Sequence, residues 1–403
     1  MSHPLRIALL MHSLNPRGGV VHTLELADAL VAQGHAVTVI AAGKPGQGLF
    51  RATRAQLSVA PLGPLPTGLV PMVRARIQAV ARHLLSLDLR AFDVLHSQDS
   101  ITANALADLQ DAGLIDGFVR TVHHLDTFDD PQLTAWQARG VHAASQLMCV
   151  SALWQQTLSR EWGRTAHRVG NGVNLQRFQA ASAPAPVPGD ADVLARLGLD
   201  EAGPCWLAVG GVEERKNTAR LLQAFALLRP AVPSAKLVIV GGASLLEHAA
   251  EQAAFDAVRQ AHGLGPGQPH ADRLVLTGPV PDGVLPALYR QATALAMPSV
   301  KEGFGLVAIE AMACGTPAIV SRIAPFTEHL QPHEAFWVDP LDVDDIANAL
   351  RLTLYTRQRA ERAAIARQVA ARFDWSASAD QHLAIYQRGL RPTLLTPEMS
   401  CHA

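Results

Sequence analysis

The chain has 403 residues, 49% of them hydrophobic and 17% charged, with a formal net charge of −1. That length suggests two or three domains with buried cores. The charge balance excludes the basic footprint of a nucleic-acid binder, since residues 1–183 hold 15 basic and 12 acidic side chains and the remainder 19 and 23.

Cys149, Cys205, Cys314 and Cys401 are far apart and match no metal-ligand spacing, which reads as reduced core thiols of a cytoplasmic protein. The opening apolar stretch is broken by His12 and is too short for a signal peptide. No run is long enough to span a bilayer.

Leu5 to Leu10 reads as a buried strand, followed by H-S-L-N-P-R-G-G, a helix from Val20 to Gly34 and a second strand from His35 to Ile40. The unit recurs, with strands at 58–62, 93–96, 118–123, 146–151 and 168–169 and helices near 71–87, 101–112, 132–145 and 152–162. The Ala/Pro-rich stretch 180–190 can continue neither helix nor central strand and reads as a linker. Strands then return at 205–209, 236–240, 274–277, 294–297, 318–321 and 336–338, separated by helices near 217–229, 246–262, 283–291, 306–314 and 343–354. A helical tail, 357–386, breaks at Asp374-Trp375-Ser376, where Trp375 anchors the turn. The strands are apolar throughout, as parallel strands covered on both faces must be. The fold class is therefore α/β, with two doubly wound parallel sheets and a ligand cleft at the carboxyl ends of their strands.

The stretch Met297 to Ser321 carries the most chemistry. A strand end leads through Pro298 and Ser299 to Glu302, Gly303 and Gly305, and then to an apolar helix with Glu310. Open N–H groups at that helix start, with glycines allowing close approach, suit a phosphate. Glu310 lies about 7 Å of helical rise further on, near the span from a diphosphate to the ribose of the same nucleotide. Two carboxylates flanking an anion site suit a ligand with hydroxyls at both ends and phosphate between, such as a nucleotide-sugar. A solvated loop Glu and a helix-face Glu are the bland alternative for each carboxylate taken alone.

Other constellations are weaker. Arg17-Gly18-Gly19 either holds a phosphate, gives an acceptor close access to backbone, or forms a simple tight turn; the G-x-G-x-x-G of a dinucleotide site is absent. His123 and His124 end a strand and point to opposite faces, against a shared metal, so a single His123 facing the reacting group is preferred. Arg215 and Lys216, in G-G-V-E-E-R-K-N, sit at a helix start where cations are unfavourable unless an anion is near; solvated charge is the alternative. The basic amphipathic segment 70–87 is read as a packed helix in preference to a membrane-surface one. Asp342-Val343-Asp344-Asp345 reads as an acidic helix N-terminus rather than a metal site.

The E-G-F-G-L-V-A-I-E run, with its E-x7-E spacing, resembles the retaining GT-B glycosyltransferases of family 4. R-G-G, V-G-N-G-V-N-L-Q-R-F at 169–178, V-G-G at 240–242, P-S at 298–299 and G-T-P at 315–317 extend the likeness over nearly the whole chain. The resemblance implies an acceptor domain over 1–180, completed by a helix at about 375–403, and a nucleotide-sugar domain over 190–374. It implies that Glu302, His123 and Lys216 serve the reaction. It also implies that Gly303, Phe304, Gly305, Leu306, Glu310, Arg215, Gly18 and Gly19 bind the donor, with Glu310 on the ribose.

No metal and no cofactor are expected; the nucleotide-sugar is a co-substrate and the acceptor is a small molecule, glycan or lipid. One departure stands out: where the family often has Arg, this chain has Gly211, and Arg215 is the candidate replacement. A nucleotide-sugar epimerase of the same fold and a catalytically idle nucleotide-sugar-binding subunit are the competing readings. Acceptor recognition is expected in the amino half, around residues 12–20 and 70–87.

Overall fold

The computed structural model describes residues 3–180, 187–199, 203–242, 249–355 and 359–389. The first half runs β1 (Arg6–Met11), α1 (Gly18–Ala32), β2 (Ala36–Gly43), β3 (Gln56–Pro61), α2 (Leu69–Leu85), β4 (Val94–Ser97), α3 (Ser100–Asp111), β5 (Val119–Val122), α4 (Pro131–Ala143), β6 (Gln146–Cys149), α5 (Ala152–Trp162) and β7 (Ala166–Arg168). The second begins with α6 (Asp190–Arg196), β8 (Cys205–Val209), α7 (Thr218–Leu228), β9 (Lys236–Val240), α8 (Ala249–Ala261), β10 (Leu274–Gly278) and α9 (Leu285–Gln291). It continues through β11 (Ala294–Met297), α10 (Leu306–Ala313), β12 (Ala318–Ser321), α11 (Phe326–His329), β13 (Phe336–Val338), α12 (Val343–Leu352), α13 (Arg359–Ala370) and α14 (Trp375–Gly389).

Every strand pairing is parallel. The orders are β3-β2-β1-β4-β5-β6-β7 and β10-β9-β8-β11-β12-β13. In each sheet the connection reverses direction beside the first strand, between β1 and β4 and between β8 and β11. These are the switch points at which adjacent loops diverge and leave a crevice outside the strands' carboxyl ends.

Burial follows the apolar runs: Leu207, Val238, Leu295 and Val320 are almost fully buried. Helix α1 buries residues nearly all round, including His22, Thr23 and Glu25, because the first sheet covers one side and α14 another. Trp375, Ala379 and Tyr386 of α14 join the apolar cluster of Ile7, Leu9, Val20 and Leu24. The chain thus returns to its first half. Trp375 is the anchor expected: it packs so closely on Gly172 that a Cβ there would lie 2.3 Å from the Trp375 nitrogen.

Several expectations are adjusted. Gly18 and Gly19 are the first residues of α1 rather than part of the loop, so the loop after β1 ends at Arg17. The short helices α6 and α11 escaped the sequence reading, since seven and four residues carry too little periodicity to register. Residues 181–186 of the linker, Cys401 and the tail beyond 389 lie outside the described residues. Cys149, Cys205 and Cys314 are buried free thiols, which burial pushes up to about 12. No helix among the described residues is long and apolar enough to cross a membrane. Helix α2 turns Ile77, Ala79, Val80 and Leu84 inward, and Arg76 donates to the His12 carbonyl at 2.9 Å.

Candidate active site

The loop between β11 and α10 is held from both sides. Asn217, buried and left-handed at φ 59°, donates to the carbonyls of Pro298 (2.9 Å) and Pro340 (2.5 Å), and Val300 N donates to Arg215 O at 3.0 Å. These bonds lock the 214–217 turn after β8 against the end of β11. Lys216 Nζ therefore meets Glu302 Oε2 at 2.7 Å, and Arg215 Nη1 stands 3.7 Å from Glu302 Oε1. Burial would raise the Glu302 carboxyl, but the charges of Lys216 and Arg215 outweigh it and hold the group down at about 2. Glu302 is thus a buried carboxylate whose ionised form its two cations favour at neutral pH. Gly210 makes room for this: a Cβ there would lie 2.9 Å from Lys216 Cε.

Gly211, at the position where the resemblance implies Arg, sits at φ 76° with its Cβ position 2.8 Å from the Gly242 carbonyl. No side chain fits that backbone-to-backbone contact. The cation nearest in role is Arg215, which also reaches Glu213 at 3.1 Å.

Gly303 faces the other half. A Cβ there would stand 2.5 Å from the His123 carbonyl oxygen, so only glycine lets the β11–α10 loop close onto the end of β5. Gly305, at φ 92°, opens α10 against the Phe326 ring, and Leu306 is the first helical residue. Helix α10 has no side-chain cap and no acidic residue in its first turn, so no group of the helix itself opposes its amide dipoles. The Phe304 side chain turns away, stacking on His329 at 4.2 Å and edge-on to Phe373 at 5.8 Å. The side chain is buried there and does not face the loop's open side.

Glu310, one turn into α10, is buried and accepts from Tyr289 Oη of α9 at 2.9 Å. Burial raises its carboxyl to about 7, against the lowering effects of Tyr289 and Arg51. The two glutamates thus differ in kind: one is an anion at neutral pH, the other titrates near neutrality.

From the first half, His123 Nε2 lies 3.0 Å from Gln98 Oε1, and its ring packs edge-on against His22 with centroids 4.6 Å apart. Burial pushes the imidazole down to about 3, so it is neutral. Gly19 presses on that ring, its Cβ position 3.4 Å from His123 Cδ2. Gly18 is exposed with open space around it. His123, Gly303, Glu302, Lys216 and Arg215 are therefore one cluster, with Gly19 beside it. Gly18 stands at its edge, and Glu310 lies deeper along α10. His124 points elsewhere and pairs with Asp126 at 3.4 Å. Asp342 caps α12 by accepting from Asp344 N and Asp345 N, as its acidic sequence suggested. Among the described residues no group of three or more His, Cys, Asp or Glu could hold a metal ion.

Sequence reasoning passed over Tyr289, Gln98 and His22, which approach the site from 21, 25 and 101 residues away along the chain. Asn217 lay inside a window already singled out, and its place before a helix was the one available signal.

The carboxy half, residues 192–369, matches the family model described as glycosyl transferases group 1, and residues 16–177 match glycosyltransferase family 4. A D-inositol 3-phosphate glycosyltransferase of Xylanimonas cellulosilytica is 32% identical over 72% of this chain and 66% of its own length. Other relatives of that name are matched over about half their length. The phosphatidyl-myo-inositol mannosyltransferase of Mycobacterium tuberculosis is 28% identical over 95% of this chain and 97% of its own. Among solved structures, sucrose-phosphate synthase of Thermosynechococcus elongatus superposes with a TM-score of 0.76 at 24% identity, covering 95% of this chain and 98% of that one. An Anabaena protein, HepE, solved with UDP-glucose, gives 0.72 at 18% identity over 95% and 100%. With both halves matched and the two-sheet GT-B fold shared, the chain belongs to the group 1, family 4 glycosyltransferases.

Proposed function

We propose that the chain transfers a sugar from a nucleoside-diphosphate-sugar to an acceptor hydroxyl, with retention at the anomeric carbon and without a metal ion. The observation that carries this reading is Glu302, ionised between Lys216 and Arg215 beside a glycine loop that touches His123 of the other half. A sugar lying there would give its hydroxyls to Glu302, with His123 beside it. A departing diphosphate would meet Lys216, Arg215 and the amide dipoles at the start of α10, fixed charges that need no reorganisation during reaction. In this scheme those groups take the role a metal plays elsewhere, and Glu310 receives the ribose hydroxyls. The departing phosphate itself takes the acceptor proton from the same face. The UDP-glucose bound in the HepE structure and the transferase names of the relatives agree with this reading.

The test is thermal stability of the purified protein against UDP-, GDP-, ADP- and dTDP-sugars, with Glu310→Ala alongside. A ligand that binds only the folded state raises the melting temperature by mass action. One donor is expected to raise it in the wild type and far less in Glu310→Ala, and turnover of that donor in EDTA with an acceptor is expected to give a product of unchanged anomeric configuration. No shift with any nucleotide-sugar would defeat the proposal; an inverted product or dependence on added metal would defeat its finer parts.

A further inference from the structure

A second ionic cluster joins the two halves away from Glu302. Arg51, in the loop after β2, is almost fully buried: Nη1 meets Glu25 Oε1 of α1 at 2.5 Å and Nη2 meets Asp282 Oδ1 at 2.6 Å. Arg177 pairs with the other Asp282 oxygen, and Asn174 Nδ2 donates to Glu25 Oε2 at 3.2 Å. The loop bearing Arg51 is itself pinned to α1, because Thr53 Oγ1 and Arg54 N both donate to Asp28 Oδ1 at 2.6 Å. Asp282 belongs to the opposite half and stands just ahead of α9, the helix whose Tyr289 holds Glu310.

We infer that Arg51 is a positioning residue for the nucleotide end of the donor site, gripping Asp282 across the cleft and so fixing α9, Tyr289 and the Glu310 carboxylate. Two physical links support it. The mechanical one runs from α1 through Arg51 and Asp282 into α9. The electrostatic one is direct, since Arg51 is the cation that favours ionisation of Glu310 against burial. The groups bearing on that carboxyl are Tyr289 of α9, Arg51, Glu25 of α1, Asp282 ahead of α9, and Cys314 just beyond α10. Arg51 is the cation acting on Glu310 directly, while Arg177 adds a second positive charge against Asp282 and Glu25. Removing it leaves the buried Glu25, Asp282 and Glu310 with less positive charge, and a bidentate guanidinium is not replaced by an ammonium.

The inference rests on Glu310 facing the nucleotide, and the experiment separates the two. Calorimetric titration with UDP-, GDP-, ADP- and dTDP-glucose is made on wild type, Arg51→Met, Asp282→Asn, the double variant and Arg51→Lys, between pH 6 and 9. We expect the donor Kd to rise about tenfold in each single Met or Asn variant. The double variant should be no worse than Arg51→Met alone, because Arg51→Met already breaks the link that Asp282→Asn would break. Arg51→Lys should be intermediate, which keeps the test valid if Arg51→Met folds poorly. The pH at which donor affinity falls off on acidification should also move upward in Arg51→Met, and less in Arg51→Lys, which keeps a positive charge; a purely structural pin would not produce such a change. If the wild type binds a donor and Arg51→Lys and Arg51→Met bind it equally well with the same pH profile, the inference is wrong while the proposed function stands. If the wild type binds no nucleotide-sugar at all, both fall.

Discussion

Lys216→Met removes one partner of a buried ion pair while keeping most of the side-chain volume. Glu302 is held at about 2 where a free glutamate ionises at 4.5, and at about 1.36 kcal/mol per pH unit that difference is worth about 3 kcal/mol. Burial acts the other way on Lys216, lowering its amine despite Glu302, and takes back part of the gain. Arg215, 3.7 Å away, keeps some of the rest. A loss of about 2 kcal/mol in unfolding free energy at pH 7 is therefore expected, read from guanidinium denaturation curves. The sign is set by the carboxylate: a depressed pKa stabilises above about 4.5, and the contribution disappears as pH falls towards about 2. The difference between wild type and variant should shrink over that interval. Lys216→Met combined with Glu302→Gln should return to within about 1 kcal/mol of wild type, since no unpaired buried charge remains. If Lys216→Met is as stable as wild type at pH 7, or the double variant shows the two losses simply added, Lys216 and Glu302 are not coupled as a buried ion pair.

Glu310 makes the opposite prediction. Its pKa, raised to about 7, means that the stability tied to its protonated form is complete below about 4.5 and lost as pH rises through about 7. Glu310→Gln should therefore melt higher than wild type at pH 8, by an amount equivalent to at most about 3 kcal/mol, and show little gain at pH 5. The same variant should bind donor more weakly, a trade of function against stability that paired melting and titration curves would reveal. The buried histidines give a third test. Burial depresses His22 and His96 well below 6.5, and holds His382 at about 4 and His123 at about 3. Each contributes stability above about 6.5 that is lost as pH falls towards its own pKa, so the melting temperature should fall steeply below about pH 6. His382→Gln should flatten that fall, and an unchanged slope would show that His382 is not among the groups charging on unfolding.

The strand–loop–helix from Ala294 to Ala313 was legible because its determinants are local. The glycines, the helix start and two glutamates one rise apart lie within a few turns of one another. The alternation of apolar strands with helices was legible for the same reason, and the parallel sheets followed from strands without polar faces. What the residue order did not contain is which distant segments meet. Asn217 ties its turn to Pro298 and Pro340, Tyr289 reaches Glu310, Gln98 reaches His123, and Arg51 reaches Asp282 across 231 positions. None of these pairs leaves a local pattern, because the partners are brought together by strand order and by the approach of the two halves. The absence of Arg at 211 has a similar cause: backbone contact with 241–242 forbids a side chain there, a fact of packing alone.

The sequence by itself determined the chemistry on offer: which carboxylates, cations and glycines stand at the carboxyl ends of buried strands. Tertiary structure alone decided the ionisation of those groups, since burial and facing charges, set by residues far off in the chain, keep Glu302 an anion at neutral pH and leave Glu310 poised near neutrality.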